Sequence, residues 1–91
     1  ELRLGRDAPL LPGARALAEA GFVTGASARN WDGYGAAVAL PEGVSAAERA
    51  LLTDPQTSGG LLVACDPAAV PAVLEAFRRH GHDGAALVGS V

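Results

Sequence analysis

Apolar positions recur along this chain in short blocks, and each block implies an element. Glu1 to Leu4 alternates polar and apolar, the period of a short strand. Gly5 to Pro9, with Asp7 inside it, is a turn cluster. Leu10 to Ala20 follows as a helix, with Pro12 near its start and Gly21 just past its end. Ala14, Leu17 and Ala18 share one face, a narrow stripe suited to close packing. Phe22 to Gly35 has no clear period and carries Gly25, Gly33 and Gly35, so the pattern predicts a long loop. Gly35 to Leu40 is a small-residue strand, turned by Pro41-Glu42-Gly43. Ser45 and Glu48 form a capping-box pattern, opening a helix that ends at Leu52 or Thr53 because Pro55 follows. After the loop Asp54 to Gly60, the continuous run Leu61 to Cys65 predicts a strand buried on both faces. Asp66-Pro67 supplies a helix start. Val70, Val73, Leu74 and Phe77 mark a helix face, closed by Gly81 after Arg78, Arg79 and His80. Ala85 to Val91 is a last strand. Four strands and about three helices predict one α+β body, or α/β, of two or three layers.

Composition narrows the chemistry. At 9.1 kDa a self-contained fold buries roughly 63% of its extended-chain surface, enough for one thin core. Seven Arg and no Lys spread along a chain of net charge −3, which argues against a nucleic-acid face. No long apolar run predicts a membrane span. Without Lys there is no P-loop or Schiff-base lysine. One Cys and two His cannot build a structural zinc site. Gly33-Tyr34-Gly35 lacks the third glycine of a dinucleotide fingerprint. Cys65, ending an apolar strand, is expected to be a buried, inert thiol, and His80 and His82 a solvated helix end. The chain begins at Glu1 and contains no Met, so a fragment is expected.

Two loops remain as candidate sites. In Asp54, Gln56, Thr57, Ser58, Gly59 and Gly60, polar side chains stand beside a backbone free to approach a ligand, as in an anion nest. The same glycines also suit entry into a crowded strand, and Asp54-Pro55 is a turn signal. In the first loop, Arg29 and Asn30 suit a phosphate or carboxylate, although such a pair more often ties a loop to its own backbone. Trp31 and Tyr34 pin that loop to the body or face a partner.

At these loops the sequence resembles a known family. Thr24-Gly25-Ala26-Ser27-Ala28-Arg29-Asn30, Gly35, and the stretch Leu52-Thr53-Asp54-Pro55-Gln56-Thr57-Ser58-Gly59-Gly60-Leu61-Leu62 look like selenophosphate synthetase. The second stretch is the specific one. In the first, the family often has Gly where Ala26 stands. The resemblance runs from about Leu10 to Val91 and implies most of the C-terminal domain of a larger enzyme, with residues 1–91 as a single piece. It implies a mixed four-stranded sheet with helices, partly ferredoxin-like, as in the aminoimidazole ribonucleotide synthetase superfamily. The implied activity is ATP-dependent phosphorylation of selenide to selenophosphate, AMP and phosphate. The parent would use Mg²⁺ and ATP, with neither expected in this chain. Its catalytic Cys or selenocysteine, Lys and metal-binding aspartates lie upstream in the family, so no catalytic residue is carried over and Cys65 is not the catalytic cysteine. The implied partner is the N-terminal domain of the same parent chain, in a cytoplasmic homodimer without nucleic acid or membrane. Two alternatives remain: a related ATP-using enzyme of the same superfamily, whose members lack the complete Asp54–Gly60 pattern, or a stand-alone binding module.

Overall fold

The computed structural model describes residues 1–5 and 8–91; Asp7, and with it part of the turn expected from Gly5 to Pro9, lies outside the described residues. Strand β1 (Leu2–Leu4) is the centre of a three-stranded mixed sheet. On one side it pairs in parallel with β2 (Val38–Ala39), Leu2 opposite Val38. On the other it runs antiparallel to β3 (Gly89–Ser90), Leu4 opposite Gly89. The Gly5 amide extends that second ladder by donating to the Val88 carbonyl at 2.8 Å. Both outer strands are shorter than the sequence pattern predicts. Gly35–Ala37 coils into a 3₁₀ turn before β2 begins, and only the end of the Ala85–Val91 segment pairs.

Among the described residues, four α-helices accompany the sheet. Helix α1 (Ala14–Glu19) and helix α4 (Val70–Arg79) follow the local rules. Each ends in the same six-residue motif, with a glycine in the left-handed region: Gly21 at φ 93° and Gly81 at φ 85°. In α1 the Phe22 amide reaches back to the Leu17 carbonyl, and in α4 the His82 amide reaches back to Phe77, both at 3.0 Å. The His82 and Phe77 rings then meet edge to face at 6.3 Å. Helix α3 (Ala46–Leu52) opens on the capping box: the Ser45 amide donates to Glu48 Oε2 at 2.8 Å, and the Glu48 amide donates to Ser45 Oγ at 3.1 Å. Asp66 caps the 3₁₀ turn Pro67–Ala69 that leads into α4, accepting from the Ala68 amide at 2.8 Å.

Two expectations are corrected. The segment expected as a long loop, Phe22 to Gly35, is mostly helix α2 (Gly25–Tyr34), capped by Thr24, whose hydroxyl oxygen accepts from the Ser27 amide. Its glycines and short polar residues are weak helix formers, so its shape comes from contacts beyond its own sequence. The segment expected as a fourth, doubly buried strand, Leu61 to Cys65, forms no ladder: Leu61 is 83% exposed and Leu62 74%. An apolar run makes a strand only where another strand accepts its backbone groups, and no described segment does. Cys65 is accordingly exposed rather than buried.

The core is correspondingly slight. Ala18 is the one buried apolar residue among those described, at 6% exposure, where α1 packs on α3. The chain exposes 6703 Å². A self-contained fold of this mass exposes about 4,900 Å², so about 1,800 Å² is in excess. Exposed large apolar residues lie in both halves, from Leu10 and Phe22 to Leu61 and Leu62. The stripe Val70, Val73, Leu74 and Phe77 on α4 is only half-buried, and α4 packs closely on no other described helix or strand except its leading 3₁₀ turn.

Candidate functional site

The two motif segments meet at the corner between α2 and the end of α3. A helix leaves its last four carbonyls without intrahelical donors. At the end of α3 two carbonyls are taken by side chains from α2. Ser27 Oγ donates to the Ala50 carbonyl at 3.2 Å, and Asn30 Nδ2 donates to the Thr53 carbonyl at 2.8 Å. Thr53 bonds back into its own helix, its hydroxyl donating to the Arg49 carbonyl at 2.9 Å. Thr24 closes the corner by donating to Asp54 Oδ1 at 3.4 Å. Ser27 and Thr53 are each only 4% exposed. A buried hydroxyl without a partner costs about 1–3 kcal/mol, so these bonds make the close approach of α2 to α3 tolerable. No buried side-chain polar atom among the described residues lacks a partner.

This geometry distributes the candidate residues unevenly. Asn30 ties α2 to a backbone carbonyl at the end of α3. Asp54 faces Thr24 at the root of the second loop. Arg29 is exposed on α2, beside Gly25 and away from the corner's hydrogen bonds. Beyond Asp54 the loop stands open: Gln56, Thr57, Ser58, Gly59 and Gly60 are all exposed. The Gln56 side chain folds over Gly59, where a Cβ would come within 3.1 Å of its Oε1. Neither Gly59 nor Gly60 has a positive φ. The arrangement is a fixed root carrying a presented glycine loop, able to offer backbone amides and small hydroxyls to a neighbour.

Electrostatics on the other side of α3 serve the fold. Glu48 accepts from the Ser45 amide and from Arg15 of α1 at 2.9 Å. Those two donors, the amide foremost, lower its carboxyl pKa to about 2. Sequence reasoning missed the α2–α3 corner itself, whose signal was a Thr three residues before Ser27, an N-cap pattern. It also missed that Trp31 lies beneath Arg49, the guanidinium carbon 5.3 Å from the ring centroid. That contact holds half-buried Trp31 to the body, while Tyr34 stays exposed.

Comparison with known proteins places this arrangement. No family model matches the chain, and no solved structure matches it. Curated proteins do. The chain is 55% identical over 85 residues to a protein of Paraburkholderia xenovorans, covering 93% of this chain and 24% of that protein. It is 48% identical over 86 residues to one of Dechloromonas aromatica, covering 94% and 25%. It is 54% identical over 82 residues to one of Rhizobium meliloti, covering 90% and 24%. The class is thus a small α+β chain related, over nearly all its length, to about a quarter of a larger protein. Those relatives are each named selenide, water dikinase, and the resemblance to selenophosphate synthetase carried by the two motifs is shown. Among the described residues, no helix is long and apolar enough to cross a membrane.

Proposed function

We propose that this chain is the C-terminal part of a selenophosphate synthetase, inactive alone, and that it supplies the Asp54–Gly60 loop to the active-site wall or domain interface of the parent. The parent reaction is the phosphorylation of selenide by ATP, giving selenophosphate, AMP and phosphate. The observation that carries this reading is identity of 48–55% to selenide, water dikinases across more than nine-tenths of the chain. The excess exposed surface supports it, because that surface needs a neighbour. On this reading the neighbour is the N-terminal domain of the same cytoplasmic, homodimeric parent. The four-stranded, partly ferredoxin-like sheet of the superfamily would require Leu61–Cys65 to find its strand partner there. The Mg²⁺ and ATP of the parent are not assigned to residues of this chain. No three His, Cys, Asp or Glu side chains among the described residues come together to hold a metal ion.

The test is AMP release from ATP, measured with and without selenide on the full-length parent and on the 91-residue chain. The parent should release AMP only with selenide, and the chain alone none. A parent that makes no AMP, or an active isolated chain, contradicts the reading.

A further inference from the structure

A second polar feature lies away from both motif loops. A cleft of about 280 Å³ opens between α2, the turn after β2 and the start of α3. Trp31, Leu40, Pro41 and Val44 give it apolar walls, and Arg49 stands at its edge. The Arg49 guanidinium is positioned by the Trp31 ring, 5.3 Å from its centroid. Among the described residues the ion pairs use Arg3, Arg15 and Arg78, and Arg49 donates to no carboxylate or carbonyl. A guanidinium carries five N–H donors in a planar fork matched to carboxylate or phosphate. Here that fork is held in place beside an apolar hollow.

The size of the hollow limits what enters. A cavity of about 150 Å³ takes one benzene ring. The cleft therefore has room for a single ring and an anionic group. Aromatic and proline walls favour a flat ring over a branched aliphatic body. We propose that this cleft is a binding site for single-ring aromatic anions, the ring seated against Trp31 and the carboxylate or phosphate paired with Arg49. The proposal does not depend on the dikinase reading. A ligand of about ten heavy atoms in an open cleft binds with a dissociation constant on the order of 1 mM.

Trp31 is the only tryptophan, so its fluorescence reports on the cleft directly. The 91-residue chain is titrated with phenyl phosphate and with benzoate, and with inorganic phosphate and benzyl alcohol as half-ligands. The amide NMR shifts of Gly43 and Val44 give a second readout, independent of the indole. Saturable changes in both signals are expected with at least one aryl anion, and which one answers identifies the anionic group. Each half-ligand should bind at least tenfold more weakly. Arg49→Gln should weaken aryl-anion binding at least tenfold, and Arg49→Lys, which keeps the charge and loses the fork, should weaken it less. Absence of saturable change with both aryl anions overturns the proposal. So does unchanged affinity in Arg49→Gln, or inorganic phosphate binding as tightly as phenyl phosphate.

Discussion

The α2–α3 corner and the segment from Leu61 through α4 treat their backbone and apolar groups in opposite ways. The corner is rich in glycine and short polar residues, poor material for a helix or a core. Yet it contains the two most buried of the described residues, Ser27 and Thr53, because their hydroxyls and the Arg49, Ala50 and Thr53 carbonyls have partners. The later segment has the apolar residues a core is made from. Yet Leu61, Leu62 and Val63 are exposed, because no described residue covers them. Burial here follows the availability of partners, not the hydrophobicity of the residue. The polar corner is self-sufficient and the apolar segment is not.

The largest expected effect breaks the corner. Asn30→Ala leaves the Thr53 carbonyl without its donor and should destabilise the chain by about 2 kcal/mol, read from a denaturant midpoint. A change under about 0.5 kcal/mol would mean the bond is replaceable by water. Gly35→Ala tests the Trp31 anchor beside it. A Cβ at Gly35 would stand 2.7 Å from the indole ring. The ring must then move, and a loss of about 1–2 kcal/mol is expected, with a shifted Trp31 emission. Ser45→Ala removes half of the α3 capping box and should cost about 1 kcal/mol.

Acid sharpens the same comparison. Glu48 has its carboxyl pKa lowered to about 2 from an ordinary value of 4.5. Its contribution is therefore fully present above pH 4.5 and is lost as the pH falls towards 2. The melting midpoint of the native chain should drop through that window more steeply than that of Glu48→Gln, and added salt should reduce the difference. The smallest effect belongs to the open segment. Leu62→Ser, at a residue 74% exposed, should change the stability of this chain by no more than about 0.5 kcal/mol.

What was legible in the sequence was local. The capping box, the glycines that end α1 and α4, the Asp66 cap and the apolar face of α4 obey rules satisfied within one turn of chain. Helix α2 was not legible because its support lies in carbonyls of α3, some twenty residues away in sequence. Leu61–Cys65 misled for the converse reason: its composition states a wish for burial, and periodicity cannot say whether a partner strand is present. The same gap put Cys65 inside when it is exposed. Of the candidate site residues, sequence left Asn30 between ligand and backbone, and the fold adds a hydrogen bond from it to the Thr53 carbonyl. The motif loops were recognisable, but their meeting at one corner required the fold.

Amide hydrogen exchange on the 91-residue chain tests the contrast most directly. Buried, bonded amides exchange only through opening, while uncovered ones exchange at near-random-coil rates. The account predicts protection in α2 and α3, concentrated at Ser27 and Thr53, and none from Leu61 to Cys65. Protection across Leu61–Cys65 equal to that of α3 would contradict it.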